Sequence, residues 1–382
     1  MPIEITLGFP VDSTFLSEIT YEGILYLLKL GLATTIKQKT IKVDEDAFDV
    51  ALKKLNGNNI NRIRIVMSGN DNFNKLPNLF GIKEKSKKTF RDLLHVLSIN
   101  SGSLYGLRDK VELNLWEKGK KIYFGSGAEK DRLTAQLTKI DRYTGFSSLE
   151  TPYTSIQLTM YLSKEVALLT LLGIYSSFIT TVRLENETSH YFVFFSPSET
   201  QRLLLQNGGT VRNLLELKDS IKERFSEILR AKVNELLPIE TSINLSLIEK
   251  MNERKVESIS LLLFKVNSEG QTYKIYEKIP LTVHREPTFL KILENLARKD
   301  PKKIIEKLNE IFKPNNLVFR ALTQPNRVDH ENVLKAILSL HRFVVAGDPQ
   351  GWFMFLRELS DASIKSTEKE EKSYNSILSG IV

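Results

Sequence analysis

The sequence predicts an α+β fold: a mixed body with antiparallel hairpins, followed by a C-terminal helical bundle. Three observations carry this reading. Residues 153–205 read as a buried helix laid against a two-stranded hairpin. A second hairpin is signalled around Asn267-Ser268-Glu269-Gly270, between two β-rich runs. Beyond Pro287 every apolar pattern has helical spacing. The expected division is 1–150, a basic α+β region; 151–286, a central α+β region; and 287–382, a semi-independent helical bundle with a tail.

Along the chain, residues 3–9 suggest a first strand that Pro10 ends. Asp12 or Ser13 can cap a helix running to Gly31, which suits a C-terminal stop. Residues 39–43 read as extended, and Asp44 opens a second helix. Residues 61–67 alternate strictly, with Ile63 and Ile65 facing away from Arg62 and Arg64, the pattern of a half-buried strand. A loop is expected at 68–78, then a helix carrying Phe90, Leu93, Leu94 and Leu97. The runs 111–116 and 120–124 flank Glu117-Lys118-Gly119 as a hairpin. Gly125 to Gly127 leads towards a helix near 129–140.

Ser163 can cap the central helix, where Leu168, Leu169, Leu171 and Leu172 leave little polar surface. The β-branched run Ile179, Thr180, Thr181, Val182 predicts a strand. A polar turn at 185–188 and a second strand at 191–195 complete the hairpin. Residues 166–182 carry no charge, but 17 residues fall short of the roughly 20 that a membrane span needs, and five serine and threonine side chains interrupt them. A long helix is expected over 211–237, limited by Pro238. Asp300-Pro301 and Asp348-Pro349 each set a capping carboxylate before proline. Helical blocks are expected at 289–296, 304–312, 333–345 and 352–359. Residues 366–373 read as a flexible tail or a frayed helix.

The chain has no cysteine, which excludes disulfides and thiolate metal sites and makes a reducing cytoplasm the expected location. The first residues lack the pattern of a secretory leader. Net charge is +8 and uneven: residues 51–150 hold 19 basic against 10 acidic side chains. Such a surface suits a polyanion. The candidate nucleic-acid-binding residues are Lys83, Lys85, Lys87, Lys88 and Arg91, the polar loop Asn100, Ser101, Gly102 and Ser103, and Lys118, Lys120 and Lys121 on the hairpin tip. Lysines on loops neutralise phosphates, and Asn or Ser can reach base edges. The nearby aromatics Phe73, Phe80 and Tyr105 are too sparse for a stacking platform. None of the five histidines belongs to a metal-ligand motif. No nucleophile elbow, zinc-protease or P-loop pattern occurs. Gly125-Ser126-Gly127-Ala128-Glu129-Lys130 follows a strand and opens a helix, but Lys130 replaces the third glycine of a dinucleotide fingerprint. No catalytic residue, metal or cofactor is expected.

The order of these parts, the strand His190-Tyr191-Phe192-Val193-Phe194-Phe195-Ser196-Pro197, and Arg342-Phe343-Val344-Val345-Ala346-Gly347-Asp348-Pro349 before Trp352, Phe353 and Leu356 carry a family resemblance. The chain resembles the large subunit of archaeal type I-A CRISPR surveillance (Cascade) complexes over most of its length. The resemblance implies a non-enzymatic role beside guide RNA and target DNA. It also implies contact with the other Cascade backbone subunits, help in recognising the target-flanking motif, and recruitment of a nuclease–helicase. No residue that reads the motif carries over from the family. Two other classes fit the residues alone: a scaffold whose basic face meets an acidic protein, and a nucleotide-binding enzyme using the Gly125 turn.

Overall fold

Residues 2–12, 14–37, 39–67, 71–83, 88–119, 121–139, 159–184, 187–270, 272–296 and 300–382 are described by the structure, a computed structural model. The fold is α+β, as expected. The chain forms two compact units, neither contiguous in sequence: Met1–Leu215 with Leu261–Pro280, and Glu216–Ser260 with Leu281–Val382. The division expected at 150 lies outside the described residues. The one expected at 286 gives way to a unit that joins the C-terminal helices to residues 216–260, because those helices bury their apolar stripes partly against that segment.

In the first unit, β1 (Ile3–Leu7) pairs antiparallel with β3 (Thr40–Val43) and parallel with β4 (Lys110–Leu113). Strand β2 (Ala33–Lys37) pairs with β3, giving the order β2-β3-β1-β4. Helix α1 (Phe15–Lys29) is capped by Thr14, whose hydroxyl accepts from the Ser17 N–H at 3.3 Å. Asp12 stands one step behind, accepting from the Thr14 N–H at 3.1 Å and hydroxyl at 2.7 Å. Ser13 lies outside the described residues.

Helices α2 (Ala47–Lys53), α3 (Gly57–Arg62) and α4 (Phe90–Ile99) follow. Here three expectations change. Residues 61–67 do not form a strand: Asn61 and Arg62 end α3, and only Val66 makes a bridge, to Thr89. The alternation was real, since Ile63, Ile65 and Met67 are buried, but one-sided burial does not require a ladder partner. The expected 68–78 loop contains the start of a 3₁₀ helix, Phe73–Phe80, pinned by buried Phe73 and Leu76. The run 111–116 divides at Asn114 between β4 and β5 (Leu115–Lys118), which belong to different sheets.

Strand β5 forms the expected hairpin with β6 (Lys121–Phe124), and β7 (Thr159–Leu162) joins β6 in parallel. The helix expected near 129–140 shortens to α5 (Ala128–Asp131) and a 3₁₀ turn at Gln136–Lys139, because Arg132 turns left-handed at φ 51°.

Ser163 caps α6 (Lys164–Ser177), accepting from the Val166 N–H at 3.3 Å. Helix α6 ends where β8 (Phe178–Leu184) begins, so the uncharged run 166–182 is helix to Ser177 and strand beyond it. No helix among the described residues is long and apolar enough to cross a membrane. Strand β9 (Glu187–Phe195) follows, then α7 (Pro197–Leu204) and α8 (Gly208–Ile228). The second hairpin, β10 (Ser258–Glu269) and β11 (Thr272–His284), completes the order β11-β10-β9-β8. The core lies where α1 and α6 meet each other and β9. There Phe15 sets its ring edge-on to Phe192, Phe194 and Phe264 at 5.0, 5.7 and 5.6 Å.

In the second unit, α8 stops at Ile228 rather than near 237. A 3₁₀ turn at Leu229–Ala231 and left-handed Lys232, φ 58°, redirect the chain. Pro238 falls in the first turn of α9 (Leu236–Ile243), where proline fits, so it does not end the preceding helix. Next come α10 (Leu245–Glu253), α11 (Phe289–Leu296), α12 (Pro301–Ile311), α13 (Leu317–Thr323), α14 (His330–Ala346), α15 (Pro349–Lys365) and α16 (Glu368–Ile381). Asp300 and Asp348 cap α12 and α15, accepting at 3.0 Å from the N–H of Lys302 and of Gln350, the first N–H beyond each proline. Trp352 is core, packed between Phe343 and Phe355, whereas Phe353 is exposed.

Of the two readings of 366–373, a flexible tail or a frayed helix, the structure has helix: these residues lead into α16, whose Tyr374, Ile377 and Ile381 are buried. Asp329, fully buried, clamps this helix. It accepts from Arg327 at 2.9 and 2.8 Å and from the Tyr374 hydroxyl at 2.8 Å, while Arg327 also pairs with Glu370 at 3.0 Å. Burial alone would raise the Asp329 carboxyl, but the Arg327 and Tyr374 hydrogen bonds hold it below its ordinary value. A depressed carboxyl stabilises the fold above its unfolded pKa and loses that contribution as pH falls through its folded value, so the clamp weakens only below about pH 4. Tyr374→Phe is expected to cost about 1.5–3 kcal/mol by urea denaturation, the lost hydrogen bond to a charged acceptor. Unchanged stability would show that the clamp contributes nothing.

Candidate nucleic-acid interface

Helix α4 organises the basic residues. Thr89 caps it, accepting from the Asp92 N–H at 3.1 Å. Just before the cap, the Met67 N–H donates to the Lys88 carbonyl at 2.7 Å, and the Phe90 N–H to the Ile65 carbonyl at 3.1 Å. These two bonds bring the outward side of 64–67 to the start of α4. Exposed Arg64 therefore joins exposed Lys88 and half-buried Arg91, which pairs with Asp92 at 3.2 Å, while exposed Arg62 ends α3, where Asn61 meets His95 at 3.0 Å. A helix N-terminus already carries partial positive charge, so cations here raise a potential that an anion relieves. Lys83 is exposed; Lys85 and Lys87 lie outside the described residues. Arg62 and Arg64 were visible as an outward pattern, but only the bridge to Thr89 shows which surface Arg64 joins.

The loop Asn100 to Ser103 does not join this cluster. It sits at the other end of α4, roughly 15 Å away for ten residues. Asn100 turns its amide back onto its own helix, donating to the Val96 carbonyl at 2.8 Å. The Gly102 N–H donates to Asp49 at 2.5 Å, and the adjoining cleft is lined by Glu45, Asp46, Asp49 and Asp109. Those carboxylates repel phosphate, and Asn100, Ser101, Gly102 and Ser103 lie apart from the basic cluster. A helix separates groups that are neighbours in sequence.

On the β5–β6 hairpin, Lys118 and Lys121 face each other in register. Lys118 also pairs with Glu129 at 2.8 Å, which raises its ammonium above the ordinary value and lowers the Glu129 carboxyl. Lys120 lies outside the described residues.

The Gly125 turn holds a side chain of the chain itself. Gly125 and Gly127 have φ of 89° and 78°, and a Cβ on Gly127 would fall 2.1 Å from the Arg108 guanidinium carbon. Arg108 donates to Asp131 at 2.8 and 3.0 Å and to Glu165 at 2.6 Å. The space a phosphate would take is filled. Among the described residues, no group of three or more His, Asp or Glu side chains is placed to hold a metal ion.

An uncharacterised protein of Archaeoglobus fulgidus is 45% identical to this chain over 381 residues, covering 97% of this chain and 96% of that protein. No family model and no solved structure matches.

Proposed function

We propose that this chain, which belongs to one family with that Archaeoglobus fulgidus protein, is the non-catalytic large subunit of a CRISPR RNA-guided DNA surveillance complex. In this role it holds duplex DNA beside the target-flanking motif and helps recruit the nuclease–helicase. The type I-A likeness supplies the assembly: guide RNA, target DNA and the other Cascade backbone subunits. The observation that carries the reading is the placing of Arg64 beside Lys88 and Arg91 at the N-terminus of α4. Cations gathered at a helix N-terminus favour a phosphate backbone over a neutral partner.

The test is purification of the complex from its host with sequencing of bound RNA, followed by a salt titration of duplex binding. Neutralised phosphates release counterions, so log affinity falls with log salt by about 0.9 per contact. Replacing Arg62, Arg64, Lys83 and Lys88 with alanine is expected to weaken binding to all sequences alike and to flatten the slope by up to roughly 3–4 units. Unchanged affinity and slope would reduce this face to solvated surface. Recovery of an acidic protein without nucleic acid would favour the scaffold role instead.

A further inference from the structure

Three aromatic rings stand in one row across the β5-β6-β7 sheet. The register aligns Trp116 with Tyr123 and Tyr123 with Tyr161. Trp116 and Tyr123 stack with centroids 4.3 Å apart and planes 17° apart; Tyr123 and Tyr161 follow at 5.6 Å and 30°. Side chains two residues apart share a face, so Lys118 and Lys121 lie on this side too. The opposite side sends Phe124, Met160 and Leu162 into the core. Tyr123 is buried between its neighbours, whereas Trp116 and Tyr161 are half-buried and both lysines are exposed. The row stops at Trp116 because β5 is the sheet's edge, and no further ring lies beyond it among the described residues. The Lys121 ammonium sits 5.8 Å from the Tyr161 centroid, and Lys118 is held by Glu129 in an exposed pair that a phosphate can displace.

Cross-strand aromatic pairs often do no more than stabilise a sheet. This row differs in leaving an outer ring face at an edge, with two cations on the same side. We infer that the face binds a single strand of RNA or DNA, one base continuing the stack on Trp116 and the adjoining phosphates meeting Lys118 and Lys121. The inference rests on the reading above only for the class of partner; the surface and the strand state are different.

The sequence holds two tryptophans, and Trp352 is buried in the helical unit, so emission changes on adding nucleic acid report Trp116. The full chain is titrated with ten-nucleotide oligo(U), oligo(dT) and a duplex of the same length. Saturable quenching is expected with both single strands and not with the duplex, whose bases are already stacked. A preference for oligo(U) identifies an RNA ligand and equal binding the shared chemistry. With a labelled oligonucleotide read by polarisation, Trp116→Ala is expected to weaken binding about 5- to 150-fold, while Trp116→Phe, which keeps a ring, stays close to wild type. Exchanging Lys118 and Lys121 for glutamine is expected to lower the salt slope by roughly 1.4 units. Absence of quenching, or equal affinity in Trp116→Ala, overturns the inference. Quenching in a chain that brings down no guide RNA would remove the surveillance-complex role and leave this site standing. Guide RNA recovered with a chain whose Trp116 ignores single strands would do the reverse.

Discussion

Gly173→Ala is expected to cost the first unit about 3 kcal/mol or more, a large part of the 5–15 kcal/mol that holds a typical domain folded. Helices α1 and α6 touch backbone to backbone at two reciprocal glycines. A Cβ on Gly173 would lie 1.8 Å from the Ile19 carbonyl oxygen, and one on Gly23 would lie 2.1 Å from that of Leu169. Real Cβ contacts essentially never fall below 3.0 Å. The helices would have to part by about 1.2 Å at Gly173. That opens an interface where Ile19, Leu168, Leu169 and Leu172 are buried, and it strains the buried hydrogen bond from Ser176 to Glu22. Gly57→Ala is the control. Its Cβ would meet nothing within 4 Å, at a backbone position open to any residue, so it is expected to be neutral or to stabilise by about 0.4–1 kcal/mol. Chemical denaturation of the two variants decides the matter, and a Gly173→Ala protein as stable as wild type would mean that the close approach carries no weight.

Arg108→Ala is the second large effect, about 3–5 kcal/mol. The guanidinium joins Asp131 on α5 to Glu165 on α6, and Glu165 is fully buried. The backbone relies on the same carboxylates: Arg108 N–H donates to Glu165 at 3.0 Å and Lys164 N–H to Asp131 at 2.9 Å. Removing the cation leaves two carboxylates in a place shaped for a charge between them. Arg108→Lys is expected to recover only part of the loss, because one ammonium cannot reproduce the planar, multiply donating group. Denaturation midpoints of the two variants test this, and equal stability of Arg108→Ala and wild type would show that the cluster is not a support.

What the sequence discloses here follows the range of the signal. Local chemistry is legible: Ser163, Asp300 and Asp348 cap the helices they precede, and the 289–296 pattern coincides with α11. Errors arise where a boundary depends on backbone conformation without its usual residue. Arg132 and Lys232 turn left-handed where glycine would be the sign, so both preceding helices read too long. Helix α16 was legible only as an alternative to a tail because its first residues, EKEEKS, are polar, and three spaced apolar residues carry its packing. The proposed interface was only half legible. Charge density marks the basic segment, but the Thr89 bridge adds Arg64, and α4 carries Asn100 away. The aromatic row was invisible because Trp116 and Tyr161 are distant in sequence and meet only through the parallel pairing of β6 with β7.

The pairing of β9 with β10 also imposes an order on synthesis. Phe192 to Phe195 wait for Phe264 to Leu261, which leave the ribosome roughly 70 residues later. At about 5–20 residues per second that is about 3.5–14 s. Throughout that interval residues 190–195, with no charge and no proline, form a bare ladder edge open to other nascent copies. The chain is thus most exposed to aggregation at one stage of its translation, and the finished sheet erases the hazard by burying the edge that caused it.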